Sequence, residues 1–125
     1  MQDAVIAIVD DDPFFGEMLE TLTVALGYRT ELYESAEEFL EAAHFSKAKC
    51  LLADIQLGDI SGIELVRHLM SSGIHRPVIF MTGSVDRSLR DQATELGCVA
   101  YLQKPFAASL LSNAITEALA AERKV

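Results

Sequence analysis

The stretch Ala4-Val5-Ile6-Ala7-Ile8-Val9-Asp10-Asp11-Asp12-Pro13 decides how the chain is read. Six apolar residues in a row, four of them β-branched, give a strand. The run is continuous rather than alternating, so both faces of that strand are covered, as in a parallel sheet packed between helices. Asp12-Pro13 then reads as a helix start, with aspartate as N-cap and proline at the first helical position. A buried strand thus runs straight into a helix, with carboxylates at the join.

The same unit recurs along the chain. Further apolar runs are Cys50-Leu51-Leu52-Ala53, Val78-Ile79-Phe80-Met81 and Cys98-Val99-Ala100-Tyr101-Leu102. Arg29-Thr30-Glu31-Leu32-Tyr33 alternates instead, which predicts an edge strand with one wet side. Between the strands lie helical patterns. Phe15, Met18, Leu19, Leu22 and Leu26 follow the spacing of one buried face, and Gly27 ends that helix. Ser35-Ala36-Glu37-Glu38 and Ser61-Gly62-Ile63-Glu64 each read as a capping box opening a helix, the first carrying Phe39, Leu40 and Ala43, the second running to about Met70. Leu89, Ala93 and Leu96 mark a fourth helix, stopped at Gly97, and Leu111, Ala114, Ile115 and Ala118 a fifth. Five strand-helix units predict one α/β domain over residues 1–125, an open parallel sheet doubly wound with helices on both faces.

Charge narrows the partners. The 125 residues carry 19 Asp and Glu against 10 Lys and Arg, a net charge of −9. Residues 1–64 hold 14 of the acids and three of the bases, so the whole surplus lies in the front half. Such a chain is repelled by phosphate backbones and anionic membranes, which argues against direct nucleic-acid or membrane contact. The first apolar run is too short and too acidic at its end for a signal peptide. Cys50 and Cys98 stand in apolar runs without C-x-x-C spacing, and read as small core residues of a cytoplasmic protein. His44, His68 and His75 share no ligand spacing and read as surface residues, Phe14 and Phe15 as helix and core, and Arg87 and Arg90 as a solvated face.

In open α/β sheets the binding crevice lies beyond the carboxyl ends of the strands. The first polar residues past the apolar runs are Asp10 and Asp11, then Asp54, then Thr82, then Lys104 before Pro105. Three carboxylates on one rim repel each other unless a cation relieves them. A hard divalent ion such as Mg²⁺ suits oxygen ligands of this kind, and lysine adds a point charge able to pair with a carboxylate or a phosphate. A carboxylate surrounded by metal, ammonium and hydroxyl is also a nucleophile set up for phosphoryl transfer. Asp12 is accounted for by its cap.

Asp10-Asp11, Asp54, Thr82 and Lys104-Pro105, in this order on these strand ends, resemble the receiver domain of two-component response regulators. Asp54-Ile55-Gln56-Leu57-Gly58-Asp59-Ile60-Ser61-Gly62 is similar to the phosphoacceptor segment of that family, and Tyr101 with Lys104-Pro105-Phe106 makes the chain most similar to receivers of the FixJ type. The resemblance implies a five-stranded sheet of order 2-1-3-4-5, as in CheY-like folds. It implies Asp54 as phosphoacceptor, and Asp11, Asp54 and the Gln56 backbone carbonyl as ligands of Mg²⁺ or Mn²⁺, with Asp10 acting through water. It further implies Thr82 and Tyr101 as a switch pair and Lys104 as the phosphate partner, before a cis peptide to Pro105. The partners implied are a sensor histidine kinase or phosphotransferase, and an output partner or a C-terminal DNA-binding domain; dimerisation on phosphorylation is left open by the sequence. Two positions depart from the family pattern. Gly58 stands where proline is usual and loosens the loop, and Ala107 stands where a capping side chain is common, at a cost of roughly 1 kcal/mol.

A second class competes. Asp10-x-Asp12 after a strand also fits the start of a haloacid-dehalogenase-type phosphohydrolase, with Asp10 as nucleophile and Asp12 as general acid. Asp54 has no role in that reading, and the further acidic pair and cap domain of such enzymes are missing from the sequence. The sequence ends Glu122-Arg123-Lys124-Val125, read as lying just past the fifth helix, with no output domain in the chain.

Overall fold

A computed structural model describes residues 4–123. Five strands, β1 (Val5–Val9), β2 (Arg29–Tyr33), β3 (Ala48–Asp54), β4 (Val78–Thr82) and β5 (Ala100–Gln103), alternate with five helices. These are α1 (Pro13–Ala25), α2 (Ala36–Ala42), α3 (Gly62–Ser71), α4 (Arg87–Glu95) and α5 (Ala108–Arg123). The strands form one parallel sheet of order β2-β1-β3-β4-β5. The helix α5 runs through Glu122 to Arg123, so the residues read as a tail are in part helical, and Lys124-Val125 lie outside the described residues.

The continuous apolar runs are explained by two cores, one on each face. Alternate strand residues point to opposite faces. Ile6, Ile8, Leu52, Ile79, Met81 and Leu102 pack with Leu19 of α1 and Leu111 and Ile115 of α5. Ala7, Val9, Leu51, Ala53 and Phe80 pack with Phe39 of α2, Leu65 and Leu69 of α3 and Ala93 of α4. Every strand except β2 is therefore apolar on both sides, while β2, at the edge, is at best half-buried. Burial also raises the Cys50 thiol to about 12, which keeps it a neutral core group.

The helix starts bear out most of the capping signals. The Asp12 side chain accepts from the Phe14 and Phe15 N–H groups, with Pro13 in the first helical position. Ser61 and Glu64 form the full reciprocal box of α3. Ser35 caps α2 through the Glu38 N–H, but the Glu38 carboxylate reaches back to the Glu34 N–H at 3.4 Å rather than to that of Ser35. Two expectations for α1 fail. Met18 is 48% exposed and Phe14 is 85% exposed, so the buried face is narrower than its spacing suggests, with Gly16, Leu19 and Thr23 at its centre.

Gly62 is demanded by packing rather than by its torsions. A Cβ there would collide with the carbonyl oxygen of Asp54 and sit 3.1 Å from the Ile55 Cα, while the Gly62 N–H donates to the Ile55 carbonyl at 2.8 Å. The start of α3 is thus laid directly on the end of β3. Gly58 differs: its φ of +44° is left-handed, and a Cβ there would meet nothing within 4 Å. Proline, its φ fixed at about −65°, is unable to adopt that conformation, so the turn that the chain takes after β3 excludes it.

Gly62→Ala is expected to lower unfolding free energy by about 2–3 kcal/mol, since the obstacle is backbone on both sides, and urea denaturation measures it. Glu64 gives a pH prediction. Hydrogen bonds from the Ser61 backbone and side chain hold its carboxyl below the usual range. Its stabilising contribution is present above the unfolded-state value near 4.5 and is lost as pH falls through the lower folded value. The gap in urea midpoint between the wild-type protein and Glu64→Gln should therefore close as pH falls from above 4.5 through the lower folded value.

Candidate functional site at the carboxyl rim of the sheet

The carboxyl ends of β1, β3, β4 and β5 bring together the residues that the strand-end reading selected. Asp10 follows β1 and is fully buried, Asp54 ends β3 at 5% exposure, and Thr82 ends β4 fully buried. Lys104 follows β5, where its backbone N–H donates to the Thr82 carbonyl at 2.8 Å and a cis peptide joins it to Pro105. Its ammonium bridges two carboxylates, 2.9 Å from Asp10 Oδ2 and 2.8 Å from Asp54 Oδ2.

The remaining oxygens are also held. Asp10 Oδ1 accepts the Asp12 N–H and Asp54 Oδ1 accepts the Gln56 N–H, each at 2.9 Å. Asp11 is exposed, yet oxygens of Asp10, Asp11 and Asp54 lie within 4.8 Å of one another. Such a trio of hard oxygen donors could hold a divalent cation. All four carboxylate oxygens of Asp10 and Asp54 are already engaged, and Asp11 is the exposed member of the trio. Asp11 also opens on a depression lined by Glu34, Glu37 and Asp59.

Burial dominates the electrostatics. Desolvation pushes the Asp10 carboxyl above its ordinary value, against the opposing pull of the Asp12 N–H and of Lys104. For Lys104 burial acts to lower the ammonium, but its bonds to Asp54 and Asp10 outweigh that and hold it above its usual value. One ammonium therefore compensates three acids only in part.

Thr82 and Tyr101 sit on the other side of the sheet. Thr82 is in phase with Val78 and Phe80, and Tyr101, paired in register with Phe80, packs into the core that α2, α3 and α4 cover. The Thr82 hydroxyl accepts the Ser84 N–H at 3.0 Å and makes a long 3.5 Å contact to the Gln56 side chain. The Tyr101 hydroxyl is buried without a hydrogen-bond partner, and the Arg90 guanidinium lies 5.9 Å from its ring centre. Arg90, read from sequence as a solvated face, thus covers this ring.

Phe15 was not legible as a site residue. The Lys104 ammonium stands 4.0 Å from its ring centre, and the Phe106 ring meets it edge-on at 6.1 Å. A helical apolar spacing accounts for Phe15 without any reference to lysine, so no sequence signal marks the contact.

Known proteins are similar to this chain. Residues 6–116 match the family model described as response regulator receiver domain. The response regulator protein TmoT of Ectopseudomonas mendocina is 34% identical over 118 residues, covering 94% of this chain and 54% of its own length. The transcriptional regulatory protein FixJ of Rhizobium meliloti is 33% identical over 118 residues, covering 94% of this chain and 58% of its own. The chain thus spans about half the length of the curated relatives it matches. A solved structure of FixJ-N superposes with a TM-score of 0.90 at 32% identity, covering 96% of each chain. The chain belongs to the response regulator receiver domain family of two-component signalling, and its similarity runs to receivers of the FixJ type.

Proposed function

We propose that the protein is a phosphorylation-activated switch in which Asp54 accepts a phosphoryl group from the phosphohistidine of a sensor histidine kinase or phosphotransferase. The observation that carries this is the trio Asp10, Asp11 and Asp54 with one lysine bridging two of its members. An Asp54 oxygen attacks phosphorus, the P–N bond breaks, and the imidazole leaves with its electron pair and takes up a proton. Mg²⁺, or Mn²⁺, would supply charge neutralisation for the phosphoryl oxygens, held by Asp11, Asp54 and the Gln56 carbonyl, with Asp10 acting through water. Lys104 passes from the Asp54 carboxylate to a phosphoryl oxygen, and the Thr82 hydroxyl offers the phosphoryl group a donor. Movement of Thr82 then biases Tyr101 and the surface of α4, β5 and α5, a shift that needs a difference of only a few kcal/mol.

Under this reading residues 1–125 act as one receiver domain in the cytoplasm. Output passes to a partner protein, to a DNA-binding domain in a longer chain, or to a dimer formed on phosphorylation. Among the described residues no helix is long and apolar enough to cross a membrane. The phosphohydrolase alternative is not favoured: the carboxylate it needs as general acid, Asp12, is the N-cap of α1, and Asp54 is left without a role.

Incubation with acetyl phosphate and Mg²⁺ should add one phosphate by intact mass, and chelation should prevent it. Asp54→Asn should take up none; an adduct on that variant, or none on the wild-type protein, sinks the proposal. Turnover of a phosphomonoester that needs Asp10 but not Asp54 would support the alternative instead. Lys104→Met should lower stability at pH 7 by roughly 1–3 kcal/mol, because Asp10 and Asp54 lose their shared cation, and Mg²⁺ should restore part of it. Urea denaturation with and without the ion reads both effects.

A further inference from the structure

We propose that Phe15 is a positioning residue for Lys104: its ring face holds the ammonium in the acidic pocket while the carboxylates exchange it for metal and phosphoryl oxygens. The inference rests on the phosphoacceptor reading and extends it to a residue outside the charged set.

The geometry is specific. Lys104 Nζ lies 4.0 Å from the Phe15 ring centre, well inside cation–π range, with Asp10 Oδ2 and Asp54 Oδ2 on its other sides. Phe106, two residues after the lysine, packs at 87° against the same ring. The loop after β5 therefore meets Phe15 twice, once through the ammonium and once through an aromatic ring. Phe15 itself is fixed by α1, whose N-cap Asp12 accepts its N–H at 3.4 Å.

A ring suits this place for a chemical reason. Both carboxylates that hold Lys104 belong to the group proposed to bind the cation and the phosphoryl group, so its hold weakens when the site is used. A further carboxylate beside the lysine would add to the repulsion and compete for the metal. The face of a phenyl ring attracts the ammonium through its quadrupole, carries no net charge and is a poor ligand for a hard cation. It also shields one side of the ammonium from water, which strengthens the charge interactions that remain.

The test compares wild type, Phe15→Leu and Phe15→Tyr in the 125-residue chain. Leucine keeps apolar bulk and loses the ring face; tyrosine keeps it. With acetyl phosphate and saturating Mg²⁺, Phe15→Leu should acquire phosphate roughly fivefold more slowly, and Phe15→Tyr should recover the wild-type rate to within about twofold. Proton NMR supplies a readout independent of phosphorylation. Lys104 ε-methylene protons should be shifted upfield by the ring in wild type and Phe15→Tyr, and return toward free-lysine positions in Phe15→Leu. An active wild type matched by Phe15→Leu, failure of tyrosine to rescue, or unshifted Lys104 protons in wild type overturns the proposal alone. A wild-type protein that takes up no phosphate overturns the phosphoacceptor reading, and this one with it.

Discussion

The carboxylate of Asp10 is wholly buried, and everything at the carboxyl rim is arranged around keeping it there. An isolated buried charge costs several kcal/mol, far more than a single hydrogen bond returns. Both of its oxygens are therefore met, one by the Asp12 N–H and one by the Lys104 ammonium. The first partner requires the chain to turn into α1 at once, which Asp12-Pro13 provides. The second must come from the far edge of the sheet, 94 residues along the chain. Burial still raises the Asp10 carboxyl in spite of both partners, so compensation is incomplete. Two further acids close by make the deficit larger. A rim of this kind gains from each positive charge it receives, which is the physical basis for reading it as a site rather than as a structural ion pair.

The alternation of side chains along the strands divides the labour between the two faces. Asp54 is in phase with Leu52, and Leu52 belongs to the core under α1 and α5. The carboxylates, the ammonium and the Phe15 ring thus gather on that side. Thr82 is in phase with Val78 and Phe80, which face α2, α3 and α4, and Tyr101 shares their core. Lys104 and Thr82 are nevertheless tied through the backbone, from the lysine N–H to the threonine carbonyl. Under the phosphoacceptor reading, events at Asp54 reach the α4 side by a step between adjacent strands, with no need for a longer path.

The fold was legible because each strand but the edge strand β2 announces itself twice, by a continuous apolar run and by a polar residue where the run stops. The site was legible for the same reason: strand ends in a parallel sheet share one rim, so Asp10, Asp11, Asp54, Thr82 and Lys104 could be placed together without distances. What escaped notice depends on contacts between distant segments. Apolar spacing put Met18 in the core, but the buried stripe of α1 is narrow and leaves it open. Gly62 looked like a neutral member of a capping box, whereas the Asp54 carbonyl leaves no room for a Cβ there. Phe15 was consistent with a core role, and its contact with Lys104 depends on how α1 and the loop after β5 meet.

The uneven charge of the chain also resolves along the strands. The three bases of residues 1–64 are Arg29, Lys47 and Lys49, and each lies at or beside the amino end of a strand. Lys47 and Lys49 line one depression there with His75 and Arg76, while Asp11, Glu34, Glu37 and Asp59 line another at the carboxyl end. Summed over its length, the front half is only acidic; along the sheet it is polarised. Charges of one sign gathered around a cleft concentrate ions of the other sign in it. The acid surplus therefore acts at the rim where Asp10, Asp11 and Asp54 meet, and it favours cations at the place where one lysine is too little.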